Sequence, residues 1–250
     1  MRTVQIMPVP TQTLSSHTTT SRPTFINGLI RKYNICVKLY AHLYNILSKL
    51  YIMVKILIDN GHGVNTKGKQ SPDGRLREYA FAREIAKRVE SCLKCKGYDV
   101  ERIVPEDYDI SLSIRCKRVN DICRKVGAKN VLVVSIHSNA AGCNGKWYSA
   151  RGFSAHVGLN ASSNSKKLAA CLWDKAIELG LKGNRAVPND RYIPQDLAIC
   201  RNTLCPAVLT ENLFYDNKED LELLLSEDGK TAITKLHVDG IIDYINNVLR

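Results

Sequence analysis

From Val54 onward, short apolar runs alternate with longer stretches whose apolar residues recur every three or four positions. That alternation restricts the possible fold more than any other feature of the chain. The strand candidates are 54–59 (VKILID), 98–103 (YDVERI), 131–136 (VLVVSI), 152–157 (GFSAHV), 197–200 (LAIC) and 207–210 (AVLT). The helix candidates are 76–96, 112–126, 163–179 and 229–248. Gly97 and Gly180 stand where helix C-termini favour glycine, and Ser111 is placed to cap the second helix. Near-continuous apolar strands interleaved with amphipathic helices predict an α/β fold, a single domain with a central, mostly parallel sheet flanked by helices.

Sites in such sheets gather outside the carboxyl ends of the strands. Three polar residues fall there: His62 in NGHG after the first strand, His137 in VVSIHSNA, and Glu211 in AVLTENLF. A fourth comes from the helix pattern. The stripe Ala82, Ile85, Val89, Leu93 in helix 76–96, extended back one turn, lands on Glu78. A carboxylate on a buried helix face is costly without compensation, and the helix N-terminus offsets only about 0.3–1 kcal/mol. A metal ion would compensate it; so would an arginine such as Arg75 or Arg83. Two histidines and a glutamate suit zinc, leaving a fourth position open for water or substrate. No H-E-x-x-H is present. His156 is expected at a strand end, and His237 on the apolar face of the last helix reads as a packed core residue.

The first 53 residues differ in kind. PVPTQTLSSHTTTSRPT lacks an apolar period and is expected to be disordered. Residues 29–53 are apolar but interrupted by Arg31, Lys32, Lys38, His42 and Lys49. They form a candidate amphipathic segment, too broken for a membrane span and without a clear signal-peptide pattern. An alternative is that Met53 is the natural start. Residues 1–53 are therefore read as a disordered or doubtful extension and 54–250 as the catalytic domain. Arg2, Arg22, Arg31, Lys32, Lys38 and Lys49, with no acid among residues 1–53, supply half of the net charge of +12. The rest is interspersed, which assists approach to any anionic surface and selects none. No nucleic-acid motif is present, and no nucleic-acid partner or stable membrane insertion is expected. The nine cysteines read as free, mostly buried thiols, which favours synthesis in a reducing cytoplasm.

Taken together, ILIDNGHG, GRLREYAFAREIAKRV, VSIHSNA, RGFSAHV and CPAVLTENLFYDNKEDLELL resemble the zinc-dependent N-acetylmuramoyl-L-alanine amidases, the cell-wall hydrolases also found among phage endolysins. The resemblance covers about residues 54–250. It implies His62, Glu78 and His137 as ligands of one Zn2+ ion, Glu211 as the catalytic glutamate, and peptidoglycan as substrate. The target would be the amide between N-acetylmuramic acid and L-alanine. Zinc would activate water and polarise the carbonyl while Glu211 moves the proton. Two departures touch no proposed ligand. VNTKGKQSPDGRLR is Lys/Arg-rich where many relatives carry a glycine-rich acidic loop. ENLFYDNKED replaces a glycine-phenylalanine before an asparagine.

Three further residues are candidates with ordinary alternatives. Asn139 would hold substrate or make turn contacts, and Asp59 would brace the His62 ring. Arg201 would meet an anionic stem-peptide group or lie on the surface. The same ligand set leaves open a zinc peptidase or deacetylase acting on another amide, and a non-catalytic wall-binding module is the other alternative. The expected place of action is the bacterial cell wall, reached by phage-lysin-like release or by an unidentified export route.

Overall fold

The computed structural model describes residues 30–31, 33–40, 54–142 and 144–249. The chain divides into two units, Met1–Ile52 and Met53–Arg250. In the first, the described residues are helical and exposed; the expected disordered stretch and most of segment 29–53 lie outside the described residues. No helix among the described residues is long and apolar enough to cross a membrane.

The second unit contains β1 (Lys55–Asn60), α1 (Glu78–Cys95), β2 (Val100–Arg102), α2 (Leu112–Val126), β3 (Val131–Asn139), β4 (Ser154–Val157), α3 (Ser163–Glu178), β5 (Ile193–Pro194), α4 (Ala198–Arg201), β6 (Ala207–Phe214), α5 (Lys218–Leu225) and α6 (Glu227–Asn247). The sheet order is β2-β1-β3-β6-β4-β5. Strands β2, β1, β3 and β6 run parallel; β4 is antiparallel to β6 and parallel to β5. The sheet is thus mostly parallel, as the alternation predicts.

Side chains on successive strand residues face opposite ways, so each central strand feeds two cores. Ile56, Ile58, Leu132, Val134, Ile136 and Val208 pack with α1, α3, α5 and α6. Leu57, Val131, Val133, Ala207 and Leu209 pack with α2 and α4. The expected helix ends hold: Gly97 and Gly180 have φ of 83° and 79°, and Ser111 Oγ accepts from Ile114 N. His237 is fully buried on α6; its Nδ1 donates to the Ile233 carbonyl and its Nε2 accepts from Thr210 Oγ1.

The structure departs from expectation at four points. Residues 197–200 form no strand; they enter the short helix α4, where Ile199 packs against α2 and the Cys116 thiol donates to the Ala198 carbonyl. Four apolar residues are too few for a period to separate helix from strand. Strands β3 and β6 run on to Asn139 and Phe214, so His137 and Glu211 lie within them rather than beyond. Helix α5 was not anticipated; Asn217 caps it, accepting from Glu219 N and Asp220 N. The described cysteines are free, but Cys92 and Cys95 are exposed on α1 while Cys116, Cys123 and Cys205 are buried.

Candidate metal centre

Parallel pairing brings His137 of β3 level with Glu211 of β6, both on the face shared with α2 and α4. His62 lies two residues past the end of β1, whose Asn60 is level with Ile136 of β3. Helix α1 delivers Glu78 from its first turn, almost completely buried at 1% exposure. Glu78 Oε1 lies 3.0 Å from His137 Nδ1 and 3.2 Å from His62 Nε2, and it accepts from Ser138 N at 3.2 Å. The two imidazoles stand edge to face, with centroids 5.0 Å apart and planes at 82°. One ligand atom from each of His62, Glu78 and His137 falls within 4.8 Å of the others.

The flanking glycines have a steric reason. A Cβ on Gly61 would meet the His137 ring at 2.3 Å, and one on Gly63 would meet the Asp109 backbone nitrogen at 1.9 Å. They clear space for a facing imidazole and a neighbouring loop. His62 itself has φ of 60°, a left-handed conformation rare outside glycine.

The electrostatics match a cation-binding triad. Burial works to raise the Glu78 pKa, but hydrogen bonds from His137 and His62 outweigh it and hold the carboxyl at about 2. Burial works to lower the His137 pKa, and its hydrogen bond to Glu78 raises it overall. Glu211 behaves oppositely. Burial, with Glu78 nearby, pushes its pKa up to about 7 against the opposing influence of His137 and Lys69. Among the described residues, Glu78 Oε2 and Glu211 Oε2 are buried without a hydrogen-bond partner. An ionised, half-unsatisfied carboxylate facing two imidazole nitrogens fits a divalent cation. The mixed nitrogen and oxygen donor set suits zinc. Glu211 stands outside that ligand cluster.

The other candidates are placed differently. Asp59 does not brace His62. Its Oδ1 accepts from Arg115 Nη1 at 2.6 Å and its Oδ2 from Ser135 Oγ at 2.5 Å. Strand alternation explains this, because Asp59 is level with Ser135 and faces α2. The Asn139 side chain accepts from Ala140 N, a local turn contact. Arg201 ends α4, exposed and paired with Asp196. Neither arginine considered for Glu78 reaches it: Arg75 pairs with Asp73 and Glu222, and Arg83 donates to backbone carbonyls, including that of His62. Asn212, which the sequence reading missed, donates to the His137 carbonyl at 2.8 Å. Its position immediately after Glu211 in β6 was the available signal.

A cavity of about 530 Å³ has His62 and His137 in its wall and Ile110, Leu112, Leu197 and Leu209 among its apolar lining. A larger one, about 670 Å³, lies between α1 and α6 and contains none of the triad.

The chain and its fold are similar to known proteins. A model of the N-acetylmuramoyl-L-alanine amidase family matches residues 56–243, well over half of the chain. An endolysin of Bacillus phage SPP1 is 28% identical over 195 residues, covering 76% of this chain and 66% of the endolysin. The crystal structure of an N-acetylmuramoyl-L-alanine amidase from Clostridium difficile 630 superposes with a TM-score of 0.65 at 25% identity, covering 78% of this chain and 98% of that one. The catalytic domain of the amidase CwlV from Bacillus (Paenibacillus) polymyxa gives 0.64 at 26% identity, with coverages of 78% and 99%. The chain belongs to the N-acetylmuramoyl-L-alanine amidase family, enzymes that hydrolyse the amide joining N-acetylmuramic acid to L-alanine in peptidoglycan.

Proposed function

We propose that residues 54–250 form a zinc-dependent amidase domain in which His62, Glu78 and His137 hold one zinc ion and Glu211 is the general base. The observation that carries this reading is the pairing of a compact His/Glu/His cluster with a separate buried carboxylate one strand away. Zinc in such a site supplies Lewis acidity to a carbonyl oxygen and to water.

The chain's own groups account for the rest. Glu78, ionised in spite of its burial, contributes the negative charge that two neutral imidazoles lack. Glu211, with its pKa near 7, is poised to take a proton from water and return it to the departing amine of L-alanine at neutral pH. The apolar cavity beside the two histidines provides room for the uncharged part of the substrate next to the scissile amide. Likeness to a phage endolysin supports action at the bacterial wall with lysin-type release.

Digestion of purified peptidoglycan with mass analysis of the products tests the reading. Stem peptides with a free L-alanine amino terminus, and glycan strands bearing a free lactyl carboxylate, are expected. Products cut within the peptide, or deacetylated sugars with intact stems, would replace this reading with a peptidase or a deacetylase.

A further inference from the structure

Two arginines that are only 5% and 2% exposed, Arg83 and Arg115, converge on the turn that carries His62. Arg83 Nη2 donates to the His62 carbonyl at 2.9 Å, and its Nη1 donates to the Gly61 carbonyl at 3.3 Å. Arg115 Nη1 donates to the Asn60 carbonyl at 2.7 Å, and its Nη2 donates to the His62 carbonyl at 3.3 Å. Three successive carbonyls, those of Asn60, Gly61 and His62, therefore all end on guanidinium groups.

The remaining donors anchor the two side chains. Arg83 also reaches the Glu106 carbonyl at 2.9 Å and the Tyr79 carbonyl at 3.3 Å. Arg115 also reaches the Ile110 carbonyl, Asp59 Oδ1 and Asp109 Oδ1 at 2.7, 2.6 and 2.9 Å.

We infer that Arg83 and Arg115 are positioning residues for the metal site, holding His62 in its left-handed conformation so that Nε2 faces Glu78. This rests on the zinc reading given above. Three features distinguish the arrangement from general packing. His62 has φ of 60°, so its backbone needs an outside constraint to stay there. The constraint falls on its own carbonyl from two sides. Arg83 also lies on α1, the helix that supplies Glu78, so one side chain links the elements bearing two of the three ligands. A planar, five-donor fork can hold several carbonyls at fixed angles, whereas an ammonium cannot.

Lysine at either position keeps the charge and loses the fork. The experiment measures zinc affinity by chelator competition on the metal-free full chain, wild type against Arg83→Lys and Arg115→Lys, with thermal unfolding of the same metal-free samples. Loss of outer-shell support typically weakens metal binding by roughly 10–100-fold, and a loss in that range is expected without a matching fall in unfolding temperature. A general structural role would instead lower the unfolding temperature and leave the folded protein's zinc affinity intact. Wild-type affinity in both folded lysine variants would overturn the inference. If a lysine variant does not fold, Arg83→Gln and Arg115→Gln take its place with the same expectation and the same contrary outcome. Failure of the zinc reading looks different: the wild-type chain would bind no zinc at all.

Discussion

His137 and Glu211 are directly level in the parallel pairing of β3 with β6, with both side chains on the same face of the sheet. A proposed metal ligand and a buried carboxylate thereby stand one strand spacing apart, about 4.8 Å, yet the carboxylate stays outside the His62/Glu78/His137 cluster. Two central strands, packed on both faces, fix that relationship. It requires no loop to close.

The first consequence concerns Glu211. Glu211→Gln keeps size and burial but removes the proposed base, so zinc content should stay at the wild-type level while turnover on peptidoglycan falls. General acid–base groups typically contribute about 10²–10⁴-fold, and the loss should lie in that range. Metal analysis and product release on the same preparation check both halves.

Gly61 is constrained by the facing imidazole. An added Cβ would lie 2.3 Å from His137 Cε1 and 2.5 Å from its Nδ1, so the ring must move. Gly61→Ala should therefore weaken zinc binding as well as cost about 1–3 kcal/mol of stability, the range for overpacking a filled site. Calorimetric zinc titration and urea unfolding together check this. Unchanged zinc affinity would show that the ring has room to spare.

Acid stability should report His237. Burial lowers its pKa to about 4 from an ordinary 6.5, so the folded state holds it neutral where the unfolded chain is protonated. Between pH 6.5 and 4 the unfolded state binds the extra proton, and stability falls as pH falls, by at most about 1.4 kcal/mol per unit for one group. Below about pH 4 this contribution stops changing. In urea unfolding of the metal-free protein, His237→Gln should flatten the pH dependence in that window and leave the slope above pH 7 unaltered.

How far the sequence was legible follows from what kind of contact each feature depends on. Strands β1, β3 and β6 were readable because each is buried on both faces and carries a near-continuous apolar run, ILI, VLVV and AVL. Glu78 was readable because it continues an apolar stripe, so its burial shows as a break in pattern. The orientation of Asp59 was not, since it depends on which face of β1 meets Arg115 of α2, 56 residues away. The roles of Arg83 and Arg115 were hidden for a related reason: their partners are mainly backbone carbonyls, which leave no trace in residue identity. Segment 197–200 failed because its helix is four residues long, shorter than any useful period.

The central claim is that one zinc ion at His62, Glu78 and His137 is required for hydrolysis of the muramoyl–alanine amide. Its most direct test is zinc content and amide cleavage measured on the same samples through chelation and stepwise zinc return. Cleavage should disappear with the metal and recover in proportion to it, reaching its full value at one zinc per chain. A zinc-free chain that releases stem peptides at the full rate would contradict the account.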